Sequence, residues 1–487
     1  MSALKSLFKQ TFIYGLATVL PRMLSFLLVP LYTTDGVLSS VAEYGKVSVI
    51  FSYFVLFNVI LAYGMETAFF RFFNKEDDKD SVIGTSAISL IVSSLGFFIL
   101  ALILQNQIAA FIQIDVKYIN LVIWILLLDA LVIIPFAWLR ATAQPMRYAI
   151  IKILNVAINL GLNLFFLLWL SDLSYYTALF DTLCVDNFEI SYIFIANLVA
   201  SAVTLILVLS FYTKIKYKFD SKLWKTMFRY AFPILIAGVA FSINETFDRI
   251  LLDRLLPPDI AETEIGMYSA CYKIALFMTL FATAYRLGIE PFFFSHAKTD
   301  NPQKNYAKIL EFFVAFGSII LLSVVVFADI LKPYIVRSEA YWEAMWVVPI
   351  ILLANFCLGI YHNLSVWYKI TDRTKFGAYI SIVGAIITLA INIIFIETYS
   401  YKASAIATLV AYSVMMLLSY YFGRKYYPIP YNLKKIGLYL VLSIGMSVLS
   451  FYYFRGDYFI GISMLIVFLG IVFFSEKNEL KQILKRS

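Results

Sequence analysis

The sequence predicts an all-α polytopic membrane protein of fourteen transmembrane helices, arranged as two parallel six-helix repeats followed by two further helices. Three observations predict this class. Apolar stretches of roughly 20 residues recur from Thr11 to Ser475, and about 20 helical residues are needed to cross the hydrocarbon of a bilayer. The composition is 62% hydrophobic against 14% charged, too apolar for a water-soluble surface and too continuous for the alternation of an outer-membrane barrel. Basic residues crowd alternate connections, the pattern of loops that share the cytoplasmic side.

The first helix is expected at 10–34. Lys5 and Lys9 precede it as in a signal peptide, but the stretch is long, carries Arg22 after Pro21 and lacks a small-residue cleavage site, so it reads as a retained helix. Helices at 41–65, 82–104, 118–139, 148–170 and 189–211 complete an N-terminal lobe at 1–213, with Lys75, Lys79, Arg140 and Arg147 on its cytoplasmic connections. A basic linker at 214–228 holds Lys214, Lys216, Lys218, Lys222 and Lys225. The C-terminal lobe at 229–424 is expected to contain helices at 229–256, 265–289, 306–327, 343–366, 376–396 and 402–422. Residues 425–487 add helices at 434–454 and 457–474 and a basic tail. The opposite connections are short or acidic, with Asp35, Asp172, Asp181, Asp186, Asp259, Glu262 and Glu264. Both termini are therefore expected on the cytoplasmic side of a bacterial inner membrane. The net charge of +8 suits loops beside anionic lipid and needs no nucleic acid.

The repeat rests on collinear matches between the two parts of the chain. Glu43-Tyr44-Gly45 before the second helix returns as Glu264-Ile265-Gly266 before the eighth. Gly64-Met65-Glu66, followed by Phe69-Phe70, returns as Gly288-Ile289-Glu290, followed by Phe292-Phe293. Trp138 and Arg140 match Trp367 and Lys369, and Asn163 matches Asn392. Both copies start on the same side, so the repeats are parallel, a geometry that lets two bundles rock about a central cavity.

Ionisable residues at membrane depth cost roughly 2.5–3.5 kcal/mol on insertion scales, so each needs a partner or water. Arg22 lies midway along helix one, Asp129 inside helix four, Lys273 inside helix eight, and Arg286 and Glu290 near the cytoplasmic end of helix eight. Helix seven carries Glu245, Asp248, Arg249, Asp253 and Arg254, the first three and Asp253 sharing one face that must avoid lipid. Ion pairs such as Asp248 with Lys273 would pin helices. Arg22, Arg249 and Lys273 suit a cavity for an anion, since guanidinium groups grip phosphate in a bidentate manner. Asn155, Asn159 and Asn163 fall at i, i+4 and i+8 of helix five, a stripe for interhelical hydrogen bonds. Three cysteines and two histidines are too dispersed for a disulfide framework or a metal motif, and no Gly-Lys-Ser or Gly-Lys-Thr phosphate loop occurs. No cofactor and no enzymatic chemistry are expected.

Asp248-Arg249-Ile250-Leu251-Leu252, followed by Glu264-Ile265-Gly266-Met267-Tyr268-Ser269-Ala270-Cys271-Tyr272-Lys273-Ile274, resembles a segment of the polysaccharide biosynthesis flippases. These belong to the multidrug/oligosaccharidyl-lipid/polysaccharide exporter superfamily. Gly15-Leu16-Ala17, Pro21-Arg22, Pro30-Leu31-Tyr32 and Glu43-Tyr44-Gly45 are similar to that family's first two helices. The resemblance implies a V-shaped pair of lobes that moves a polyprenyl-diphosphate-linked oligosaccharide, such as an O-antigen, capsule or exopolysaccharide unit of lipopolysaccharide-type pathways, to the outer leaflet. It implies headgroup contacts at Arg22, Arg249, Lys273 and Arg286, and coupling to an ion gradient through Asp129, Glu245 or Asp248. Glu66 and Glu290 are the repeated helix-end acids. Membrane lipids and polysaccharide polymerase or ligase proteins are the implied partners. The alternatives are a cation-coupled exporter of drugs or small organic molecules, and a lipid II flippase, although a single arginine in helix one departs from the basic cluster of the latter. A membrane-embedded glycosyltransferase or ligase fits less well, because the longest outer loop, at about 171–188, is short.

Overall fold

The computed structural model describes residues 26–170, 188–295, 302–371 and 373–484, with 19, 23 and 185 besides. Among these, every regular element is a helix, and twelve helices are long and apolar enough to cross a membrane. A further pair, broken and bent by 47°, is long and apolar enough only when its two helices are taken together, as a broken span or a re-entrant loop. The expected first helix lies largely outside the described residues. The predicted class, an all-α multi-pass membrane protein, is the fold observed.

Contacts divide the chain into two compact units, Met1–Gly266 and Met267–Ser487. The first contains α1 (Val29–Tyr32), α2 (Val41–Ala62), α3 (Met65–Lys75), α4 (Lys79–Ile103), α5 (Gln105–Ile112), α6 (Val116–Leu131), α7 (Ile133–Ala141), α8 (Pro145–Leu164), α9 (Glu189–Tyr212) and α10 (Ser221–Leu255). The division falls at Gly266 rather than in the basic segment 214–228, because that segment is bonded to the first unit. Lys216 and Lys218 pair with Asp80 and Asp78 at the start of α4, at 2.6 and 2.9 Å. Asp220 caps α10 by accepting from the amides of Lys222 and Leu223, while its own amide donates to Thr85. α10 then packs along α2, α3 and α4. It runs through Pro233 without ending.

Local signals explain the helix starts. Ser40 accepts from the Glu43 amide, and the Glu43 carboxylate accepts from the Ser39 amide at 2.8 Å, a reciprocal capping arrangement. Asp78 and Asp115 cap α4 and α6, and Pro145 opens α8, where its missing N–H is harmless. α11 (Pro258–Ile274) crosses the unit boundary. Its Gly266 and the Gly45 of α2 let the two helix starts touch: a Cβ on Gly45 would stand 1.9 Å from the Glu262 carbonyl oxygen, and one on Gly266 would stand 2.2 Å from that of Val41. The repeated Glu-x-Gly motif is therefore spent on a cap and a backbone crossing.

The second unit holds α12 (Leu276–Ser295), α13 (Pro302–Val326), α14 (Ala328–Ile335), α15 (Val347–Leu364), α16 (Val366–Ile370), α17 (Lys375–Tyr399), α18 (Tyr401–Tyr426), α19 (Leu433–Val448) and α20 (Tyr458–Leu484). α15 packs on α18 and α12, α17 on α18, and α13 on α15, α19 and α20. Trp367 is buried with its indole N–H donating to the Ser419 carbonyl at 3.1 Å, while Trp138 rests on Phe211 with ring centroids 5.6 Å apart. The matched tryptophans thus each join the fourth expected helix of a repeat to its sixth.

Candidate functional site

Arg249 sits near the C-terminal end of α10 and is only 7% exposed. Its Nη1 donates to Asp248 Oδ1 at 2.8 Å and to the Glu245 carbonyl at 3.1 Å, and its amide also donates to Asp248 Oδ1. Asp248 is 4% exposed, so this is a desolvated ion pair between chain neighbours. Removing one member of such a pair costs about 3–5 kcal/mol, because the other charge stays buried. Glu245 is half-buried and contributes its carbonyl to the guanidinium.

A second polar cluster threads the first unit. The Asn155, Asn159 and Asn163 stripe of α8 faces α9 and α1. Tyr32 donates to Asn163 Oδ1 at 2.7 Å, Asn163 Nδ2 to Asn159 Oδ1 at 2.9 Å, and Asn159 Nδ2 to Asn197 Oδ1 at 2.8 Å. Asn155 donates to Thr204 at 3.0 Å, and Ser201 donates to Asp129 Oδ1 at 2.7 Å. Lys152 lies one turn before Asn155, its ammonium 4.3 Å from the Phe136 ring centroid, within electrostatic reach of Asp129, Glu66 and Arg140. Arg140 Nη2 meets Glu66 Oε1 at 2.6 Å. Side-chain hydrogen bonds that apolar surroundings cannot replace thus run from the Tyr32 hydroxyl to Asn197, and Lys152 links Asp129 to the Glu66–Arg140 pair by electrostatics alone.

Asn392 repeats Asn163 in bonding as well as in register. Asn163 Nδ2 donates to the carbonyl four residues earlier at 2.8 Å while its Oδ1 accepts a hydroxyl; Asn392 donates to the Thr388 carbonyl at 2.8 Å and accepts from Ser404 at 2.6 Å.

Of the sequence-predicted residues, Asp129, Asp248, Arg249 and Glu245 fall in the first unit, and Glu66 joins Arg140 there. Lys273, in the last turn of α11, and Arg286, in α12, belong to the second unit and are half-buried. Arg22 lies outside the described residues, as do the side chain of Glu290 and the loop acids Asp172, Asp181 and Asp186. Sequence reading passed over Lys152, although it stands inside a 20-residue apolar stretch on the face of the asparagine stripe. Nor did it single out Lys435, which is half-buried at the start of α19 between Glu311, at 3.4 Å, and Glu476, at 2.8 Å. Tyr439 donates to the same Glu476 at 2.8 Å. These partners are more than a hundred and about forty residues away, and no local signal joins them.

The sequence pattern of the family described as "Polysaccharide biosynthesis protein" matches residues 7–295. The chain belongs to the polysaccharide biosynthesis protein family. No curated protein sequence matches it. In fold, this family member is similar to the lipid II flippase MurJ in an inward closed conformation, with a TM-score of 0.70 at 15% identity over 96% of this chain and 99% of that one. A multidrug resistance MATE family transporter of the MOP superfamily, inward-facing, gives 0.63 at 12% identity over 87% and 99%. A MOP superfamily transporter from Pyrococcus furiosus gives 0.58 at 13% identity over 86% and 95%. At these identities the likeness establishes the fold of a membrane transporter superfamily for this polysaccharide biosynthesis protein.

Proposed function

We propose that this protein is a flippase, not an enzyme, that moves a polyprenyl-diphosphate-linked oligosaccharide from the cytoplasmic to the outer leaflet of a bacterial inner membrane, with both termini cytoplasmic. Membership of the polysaccharide biosynthesis family is the observation that carries this reading. The two six-helix repeats, expected at 1–213 and 229–424, carry the movement by alternating access. Arg22, Arg249, Lys273 and Arg286 supply cations for the diphosphate. Arg249 reaches the headgroup by exchanging the Asp248 carboxylate for phosphate, an exchange between two oxyanions of like hydrogen-bonding geometry that leaves the guanidinium paired throughout. Coupling runs through Asp129: a cation arriving at its carboxylate weakens the pull on Lys152 and on the Ser201 hydroxyl. Polymerase or ligase proteins would consume the delivered units.

The test is translocation in proteoliposomes holding a polyprenyl-diphosphate oligosaccharide, read as its accessibility to a membrane-impermeant sugar-cleaving enzyme. Arg249→Ala should lose translocation while keeping correct insertion. Undiminished translocation by that variant would remove the headgroup role, and failure of the wild-type protein to move any such lipid under an ion gradient would remove the flippase reading. Asp129→Asn should lose dependence on the gradient.

A further inference from the structure

The first unit contains an apolar cavity of about 400 Å³ between α2, α4, α5 and α6. That volume lies within the ~300–1,000 Å³ of small-molecule sites. Ile50, Phe57, Phe97, Ala101, Val122 and Leu126 are among its wall residues. It opens at Leu100 and Phe111, which are 56% and 74% exposed. A closed hydrophobic core would leave no such mouth, and a soluble ligand would meet almost no polar atom inside. The walls match a hydrocarbon chain.

One cation stands at the rim. Arg254, in the last turn of α10, places its guanidinium carbon 4.7 Å from the ring centroid of Phe111, and the guanidinium is hydrogen-bonded to the wall residue Tyr53. Arg254 Nη2 is buried and has no hydrogen-bond partner among the described residues. A buried guanidinium N–H without an acceptor is costly, so an acceptor from outside the chain fits the position. The neighbouring Asp253 acts on both Arg254 and Tyr53, and Glu262, also near Asp253, is paired with Lys46 at 3.2 Å. Asp253 and the Lys46–Glu262 pair bring the net charge of the rim close to zero, so the buried Nη2 atom, rather than a positive field, is what points to an acceptor.

We propose that this cavity takes one acyl chain of an anionic phospholipid, whose phosphate accepts a hydrogen bond from Arg254. The chain enters past Leu100 and Phe111, the headgroup stays at the end of α10, and the second acyl chain remains in the bilayer. The site is separate from the translocated substrate, so it stands or falls apart from the flippase reading.

Native mass spectrometry of the full-length protein tests it, with phosphatidylglycerol, phosphatidylcholine and a polyprenyl monophosphate as probes. The wild-type protein should retain phosphatidylglycerol over phosphatidylcholine, and Arg254→Gln should lower that retention at least tenfold. Leu100→Trp, a substitution at the exposed mouth that leaves the walls intact, should lower it comparably, and the thermal unfolding of both variants shows that they are folded. Equal retention of phosphatidylglycerol by wild type and both folded variants would overturn the site. Displacement of phosphatidylglycerol by equimolar polyprenyl monophosphate would overturn the choice of occupant.

Discussion

Replacing Gly45 with alanine places a methyl group where the structure has a carbonyl oxygen. The added Cβ would meet the Glu262 oxygen at 1.9 Å, against an ordinary separation of about 3.4 Å, so the starts of α2 and α11 must part by more than an ångström. Overpacking of this kind costs roughly 1–3 kcal/mol, and the colliding atom is backbone, which cannot swing aside as a side chain would. Taken as a bias against the touching arrangement, that energy changes its population by roughly 5- to 150-fold. Gly266→Ala acts on the same crossing through the Val41 oxygen at 2.2 Å, so the double variant should cost less than the two single ones together. The Lys46–Glu262 pair beside the crossing, at 3.2 Å, provides a direct assay. A zero-length carbodiimide joins such a pair as an amide that peptide mass spectrometry quantifies. Coupling should fall at least fivefold in Gly45→Ala and in Gly266→Ala, and persist in Gly96→Ala, where an added Cβ meets nothing within 4 Å. Undiminished coupling in both variants would refute the view that these glycines are required by a backbone contact.

Lys435→Met should leave Glu311 and Glu476 as neighbouring buried carboxylates and destabilise the protein by about 3 kcal/mol, seen as a large drop in thermal midpoint in detergent. Asn163→Leu and Asn392→Leu should each cost about 1–3 kcal/mol in the same measurement, and by similar amounts, because each strands one hydroxyl partner in the same bonding pattern. Arg455 grips Asp329 with two hydrogen bonds of 2.9 Å and, with Lys332 assisting, holds its carboxyl below the ordinary value of about 3.9. A lowered folded value means that this stabilisation is complete above about pH 4 and is lost as pH falls through the folded value. Thermal midpoints taken from pH 7 to 3 should therefore show a smaller acid-side decline in Arg455→Ala than in the wild-type protein.

The span positions were legible in the sequence because the bilayer imposes a one-dimensional rule: roughly 20 apolar residues wherever the chain crosses. Hence the apolar stretches around Val82, Tyr306 and Leu433 became helices α4, α13 and α19. The face shared by Glu245, Asp248 and Arg249 was legible for a related reason, since helical periodicity alone puts them together and lipid excludes them. The internal repeat could be read as matched letters, Asn163 with Asn392 and Gly45 with Gly266. What those letters do could not be read. A glycine means a close approach somewhere, but only the folded backbone shows that the matched glycines lie at one crossing, against Glu262 and Val41. Likewise, that Asp129 accepts a hydrogen bond from Ser201 and that Lys435 is enclosed by Glu311 and Glu476 depends on which helices pack side by side. So does the attachment of the basic 214–228 segment, and with it α10, to the first unit. Hydropathy determines that a helix enters the membrane. Its neighbours are set by close packing and by polar groups seeking partners over long sequence separations, and these only the tertiary structure decides.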